Sequence, residues 1–232
     1  MLIGDYMRRI ICKHCHNMRD LGGYMTKSGK ETKFNRFIRS DLPLILDEEE
    51  VIYLENNNIK TIIDLRSSFE VNKKPNFLAN KDFKYYNISL ISDSPKYETD
   101  IPINYIKKIM DKSSIYSVIK TMIEAKSNVL FHCAVGKDRT GVISMILLLV
   151  AGVYEEDIIA DYQVSYTYLK EHIRLLHIKH PEWPDFIGQS KMEYMEKTLT
   201  MFKENFNDID CYMKYLGFTK EEVSRLRSKL LD

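Results

Sequence analysis

A chain of 232 residues that is 44% hydrophobic and 29% charged can bury a substantial core and is not broadly disordered. Its 34 Lys+Arg against 33 Asp+Glu leave a formal charge of +1, so no global positive field argues for a nucleic-acid partner. No stretch reaches the roughly 18 apolar residues of a membrane span, and the N-terminus has neither the apolar core nor the small-residue cleavage site of a secretory signal.

The expectation is a cytoplasmic protein without an integral membrane segment. Export by a route that needs no signal stays open. No repeat and no Pro/Gly/Ser-rich linker divides the sequence, so residues 1–232 read as a single domain.

In chain order, Cys12 and Cys15 come first, as a C-x-x-C with His14 and His16 beside them. Zinc and redox chemistry both use such spacing, but a structural zinc site needs ligands around a tetrahedron and there is no second pair. The expectation is an incidental cluster, no metal and no disulfide scaffold. Residues 22–40 read as a small β-hairpin turning at Ser28-Gly29. Residues 46–58 read as a helix with Asp47 and Glu50 at its start.

"IKTIIDL" (59–65) and "FKYYNISL" (83–90) are strands, 115–125 a helix, "NVLFHC" (128–133) a buried strand, and 139–150 a helix. Strands alternating with helices predict an α/β fold with a central, mostly parallel sheet flanked by helices. After Gly152 the pattern turns helical to the end, which predicts extra C-terminal helices.

The stretch "FHCAVGKDRTG" (131–141) concentrates the chemistry. A strand delivers Cys133 to the carboxyl edge of the sheet, where α/β folds place ligands. The backbone of Ala134, Val135, Gly136, Lys137, Asp138 and Arg139 can turn its N–H groups inward as an anion nest, and the helix that follows adds partial positive charge. Arg139 offers a planar fork that matches two phosphate oxygens.

These donors favour thiolate at Cys133 and aim it at phosphorus, which implies a cysteinyl-phosphate intermediate. Thr140 is placed to hydrogen-bond the Cys133 sulfur. His132, on the opposite strand face, is expected to orient the loop from below rather than to act as a base. A buried cysteine before a charged helix cap would account for a bare C-x5-R, but not for every position of this stretch.

"HCAVGKDRTG" resembles the signature loop of cysteine-dependent protein tyrosine phosphatases, and more narrowly that of bacterial tyrosine/lipid phosphatases with HC-x-x-G-K-D-R-T-G. "NMRDLGGY" (17–24), "FIRSDLP" (37–43), "IIDLRSSFE" (62–70), "GVYEEDIIADYQVS" and "YLGFTKEEVSRLRSKLL" resemble further segments of those enzymes, in order. The resemblance implies the phosphatase fold, no metal and no cofactor. It implies that Lys137 adds charge for multiply phosphorylated head groups and that the loop aspartate, Asp138, takes part in catalysis.

The acid for the leaving oxygen has several candidates. Tyrosine-specific phosphatases often use the Asp of a W-P-D loop that precedes the cysteine. Here Trp183-Pro184-Asp185 follows it, and the expectation is a decoy around a buried Trp. Asp138 is preferred, then Asp93 after strand 83–90, with Asp100 as a plain loop residue. Arg66 emerges at the same edge, to bind substrate or to pair with Asp20 or Glu70.

The predicted activity is hydrolysis of phosphotyrosine, with phosphoserine/threonine or phosphoinositides as further substrates. A non-catalytic phosphoryl-binding module would lack Cys133 or Arg139, and a sulfur-transfer domain would need neither Arg139 nor the Lys-Asp pair. The 91–100 loop and the helices around 170–205 are candidate lids.

Overall fold

The computed structural model describes residues 7–90 and 94–232. Five strands form one sheet: β1 (Arg19–Asp20), β2 (Phe37–Ser40), β3 (Ile59–Asp64), β4 (Lys84–Asn87) and β5 (Asn128–His132), in the order β1-β2-β5-β3-β4. β2, β5, β3 and β4 run parallel, and β1 is antiparallel to β2. This is the mostly parallel α/β sheet expected from the alternation of elements. Ser40, His132 and Asp64 lie level across β2, β5 and β3, so the loops leaving these strands start from one edge.

α1 (Glu48–Asn56) opens where the Asp47 and Glu50 pattern placed it, and the Glu50 carboxylate accepts from the Asp47 N–H at 2.8 Å. α2 (Ser68–Lys73) follows β3, and α3 (Asp100–Met110) and α4 (Lys112–Glu124) follow β4. α5 (Asp138–Ala151) is apolar nearly all round and buried nearly all round, because the sheet covers one side of it and the C-terminal helices the other. Gly152 ends it in the left-handed region, at φ +82. Those C-terminal helices are α6 (Glu155–Lys179), α7 (Met192–Phe206), α8 (Ile209–Leu216) and α9 (Lys220–Leu230).

Alternation along β5 divides the core. Val129 and Phe131 face the large cluster around α5, while Leu130 faces a smaller one with Ile38, Leu54 and Ile62. No described helix is long and apolar enough to cross a membrane.

The hairpin expected over 22–40 is corrected. Its turn exists, with Gly29 at φ +76 and Thr26 N–H donating to Lys30 O at 2.9 Å, and its pairing runs through the Met25–Glu31 bridge to Gly23 N–H and Thr32 O (2.8 Å), but does not extend to 37–40. Phe37–Ser40 joins β5 instead. Phe37 and Ile38 are consecutive apolar residues, and only an interior strand buries both faces.

Candidate active site

Between β5 and α5 the chain is tied down by its carbonyls. Ala134 O accepts from Leu42 N–H (3.2 Å), Val135 O from Asn17 Nδ2 (3.0 Å) and Gly136 O from Arg39 Nη2 (2.8 Å). In a planar trans peptide the C=O and the following N–H point opposite ways. With these carbonyls turned outward, the N–H groups of Val135, Gly136 and Lys137 turn inward. A cavity of ≈ 200 Å³ lies on that side, with Cys133, Val135, Lys137, Asp138 and Arg139 in its lining. Cys133 is only 1% exposed.

Gly136 is required twice over. It sits at φ +67, and a Cβ there would meet Ser40 O at 2.4 Å. Gly136→Ala is expected to cost about 1–2 kcal/mol from the dihedral alone, and more from the contact with the Ser40 backbone. Urea denaturation would show the lower midpoint, and a midpoint equal to that of the parent protein would refute it.

Arg139 is held from outside the loop. Its Nη1 and Nη2 donate to Glu70 Oε2 (2.7 Å) and Oε1 (2.8 Å), a bidentate pair. Burial lowers the proton affinity of the guanidinium, but Glu70 and the Cys133 sulfur outweigh it and hold Arg139 above its ordinary value. Glu70 is fixed in turn by the start of α2, where Ser67 N–H (2.9 Å) and Ser67 Oγ (3.0 Å) donate to its Oε2.

Arg139, above all, draws the Glu70 carboxyl down to about 2, from an ordinary 4.5. A depressed carboxyl stabilises the fold above its unfolded value and loses that contribution as pH falls through its folded value. Glu70→Gln should therefore flatten the loss of stability between pH 4.5 and 2. Parallel acid-denaturation curves for the two proteins would rule this out.

Arg66 does not line the cavity. It is buried and pairs with neither Asp20 nor Glu70: Nε and Nη2 donate to Asp64 (2.9 and 2.6 Å) and Nη1 to Lys74 O (2.8 Å). The carboxylate two residues back on β3 is simply nearer.

His132 lies beneath the loop, fully buried. Its Nδ1 is 3.0 Å from Cys133 O, a pure acceptor, so Nδ1 carries the proton and Nε2 accepts from Asn76 Nδ2 at 2.6 Å. Asn76 is oriented for this by Leu78 N–H, which donates to its Oδ1 (2.7 Å). Burial, the largest influence, keeps the imidazole below its ordinary value and neutral. The Asp64 carboxylate, 3.6 Å from Nε2, therefore faces a neutral ring rather than an ion-pair partner. Thr140 makes no bond to the sulfur. Its hydroxyl is buried without a hydrogen-bond partner, contrary to expectation.

Asp138 opens α5 at the cavity. Its Oδ1 accepts from Tyr105 Oη (2.5 Å) and Lys137 Nζ (2.9 Å), and Lys137 also donates to Gln189 O (2.9 Å). Burial raises the carboxyl, but Lys137 and Tyr105 outweigh it and hold Asp138 below the usual carboxylate range.

Asp93 lies outside the described residues; nearby Pro95 lines the cavity. The Asp100 carboxylate accepts from Lys96 and Tyr97 N–H (3.1 and 2.9 Å) at the start of α3. Asp185 is exposed and does not line the cavity, although Phe186 and Ile187 beside it do. Trp183 is not buried. It is 37% exposed and stacks on His180, with ring centroids 4.4 Å apart. The segments expected as lids supply walls: Pro95 of the 91–100 loop, and Ile173 and Leu176 of α6.

The whole ordered sequence from the C-x-x-C onward agrees with one family. The model of the tyrosine phosphatase family matches residues 10–232. The chain belongs to this family. It is similar to a tyrosine-protein phosphatase of Nostoc commune, 28% identical over 194 residues that cover 74% of this chain and 66% of that one. Among solved structures, P. aeruginosa TpbA in complex with pTyr shares 15% identity over 86% of this chain and 88% of that chain, with a TM-score of 0.40. The core catalytic domain of the PP-IP phosphatase SIW14 from S. cerevisiae shares 16% over 66% and 94%, with a TM-score of 0.38. The chain spans 66% and 60% of the lengths of its Nostoc commune and Cupriavidus necator relatives.

Proposed function

We propose that this tyrosine phosphatase family member hydrolyses phosphate monoesters, phosphotyrosine first and phosphoserine/threonine second, through a cysteinyl-phosphate intermediate. The observation that carries the reading is the set of outward-tied carbonyls at Ala134, Val135 and Gly136. It turns the three following N–H groups to the side away from those ties, and Cys133 and the Glu70-held Arg139 line one cavity.

The Cys133 thiolate attacks phosphorus, and the P–O bond to the leaving group breaks. The N–H ring and Arg139 hold the equatorial oxygens as charge develops on them. Asp138 gives its proton to the leaving oxygen. Water then attacks the cysteinyl phosphate, Asp138 takes a proton from it, and the thiolate departs. Because Lys137 and Tyr105 favour its carboxylate, Asp138 is ready for the second of these roles at neutral pH and needs acid for the first.

A nearly inaccessible sulfur at the base of a narrow cavity favours a phosphate carried on a long, slender group, and the Ile101, Leu169 and Ile173 walls suit an aromatic ring. A second reading, phosphoinositide hydrolysis by the same steps, is favoured by Lys108 and Lys137 together in the lining. Phosphate release from a phosphotyrosine peptide, a phosphoserine peptide and a panel of phosphoinositides tests both. The phosphotyrosine peptide is expected to give the highest kcat/KM, a phosphoinositide winning would favour the second reading, and no release from any would refute both.

A further inference from the structure

The chemistry above makes no use of Cys12 and Cys15, yet their surroundings are specific. Ile10 N–H donates to Met18 O (3.2 Å) and closes a loop that contains both cysteines. Cys15 is buried, Cys12 is half-buried, and the Cys12 sulfur lies 3.5 Å from Met18 Sδ. The histidines between and beside them turn elsewhere. His14 Nε2 faces Asp47 at 3.4 Å, and the ring of His16 is exposed while its N–H donates to Asp41. No group of three or more metal-ligating side chains occurs among the described residues.

Cys12 packs against the small apolar cluster that holds both Cys15 and Met18. The neighbouring Cys12 thiol, followed by burial and by Asp41, pushes the Cys15 thiol well above the ordinary thiol range. Cys15 therefore keeps its proton, and Cys12 is the sulfur a reagent meets first. An accessible cysteine followed three positions on by a buried, proton-holding one is the division of labour of dithiol redox pairs.

The pair is also wired to the phosphate loop. Ser40 Oγ donates to Asp41 Oδ1 (3.3 Å), and Asp41 acts in turn on the Cys15 thiol. The Asp41 carboxylate accepts from His16 N–H and Asn17 N–H, each at 3.0 Å. Asn17 Nδ2 holds Val135 O at 3.0 Å, one of the three ties that turn the loop's N–H groups inward. Asn17 is two residues from Cys15, so a change in the backbone at Cys15 reaches that tie directly.

We infer that Cys12 and Cys15 form a dithiol site that a hydroperoxide closes to a disulfide, and that closure loosens the phosphate loop through Asp41 and Asn17. In the first step Cys12 sulfur attacks the peroxide, the O–O bond breaks, and Cys12 sulfenic acid and water form from hydrogen peroxide. In the second, Cys15 sulfur attacks Cys12 sulfur, the S–O bond breaks, and the Cys15 proton leaves with the hydroxyl as water. The two thiols lose two electrons and the peroxide gains them. The effect on turnover rests on the proposed phosphatase function; the disulfide and the loosening do not.

The test uses the full chain carrying Cys133→Ser, which removes the reactive thiol of the phosphate loop. After treatment with hydrogen peroxide, peptide mapping without reductant is expected to find Cys12 joined to Cys15, with the link reversed by dithiothreitol. Amide exchange over residues 134–137 should be about fivefold faster in the oxidised protein, the loss of roughly one hydrogen bond. The same treatment of Cys12→Ser in that background should leave exchange unchanged.

Oxidation confined to Cys211, sulfinic acid at Cys12 without a disulfide, or a disulfide with unchanged exchange would each overturn the inference. A parent protein that releases no phosphate would overturn the proposed function and leave the disulfide and exchange results standing.

Discussion

Cys133→Ser is expected to abolish phosphate release, by about 10⁴-fold or more, while inorganic phosphate still binds. Serine keeps the shape of the side chain but loses the nucleophile, since a hydroxyl without an adjacent base stays protonated. His132 cannot supply that base: its Nδ1 proton is committed to Cys133 O and its Nε2 to Asn76. Binding survives because nothing that builds the nest passes through the sulfur. Asn17, Arg39 and Leu42 hold the three carbonyls, and Glu70 holds Arg139. Turnover assays and equilibrium dialysis with inorganic phosphate check the two halves separately. Turnover within tenfold of the parent protein would remove Cys133 from the mechanism, and a folded variant without phosphate affinity would remove the nest.

The strand end and the helix start that bound the 134–137 loop were legible in the sequence because both fall within 131–141 and can be read from adjacent letters. The interior strands β3 and β5 were legible for a similar reason, as short apolar runs. The supports were not. Glu70 reaches Arg139 across 69 positions, and Arg39 reaches Gly136 across 97. Glu70 closes the segment "IIDLRSSFE", and Ser67 and Glu70 have the spacing of a capping box, which predicts a helix start, but neither signal says what the other face of the carboxylate meets.

Arg39 and Arg66 illustrate the limit. Both stand at strand ends on the same edge, and both are buried. One braces the 134–137 loop at Gly136 O, while the other folds back on Asp64 and Lys74. Sequence neighbours do not separate them, because the difference lies in which distant backbone each guanidinium meets. β2 failed for a related reason. Nearby turn residues suggest a hairpin, but two consecutive buried apolar residues require a neighbour on each side, and β5 comes from far along the chain.

Asp161→Asn should destabilise the protein by about 3–5 kcal/mol and weaken phosphate binding together with it. Asp161 is buried on α6 between two buried arginines. It accepts from Arg19 Nε at 2.8 Å and forms an ion pair with Arg39 Nη1. Burial raises its carboxyl, but the two guanidinium groups hold it below the ordinary range, so it is charged in the fold.

Arg39 shows the opposing strain. Burial first, and then repulsion from Arg19, bring it down to about 10 even with Asp161 present. An amide oxygen still accepts hydrogen bonds but cancels neither charge, and it leaves two cations facing each other out of water. The loop feels the change because Arg39 uses its other nitrogen, Nη2, to hold Gly136 O. Urea denaturation gives the first effect and phosphate affinity of the folded fraction the second. A loss of stability below about 1 kcal/mol, the ordinary cost of one neutral hydrogen bond, would show that the charge of Asp161 is not what holds the two arginines.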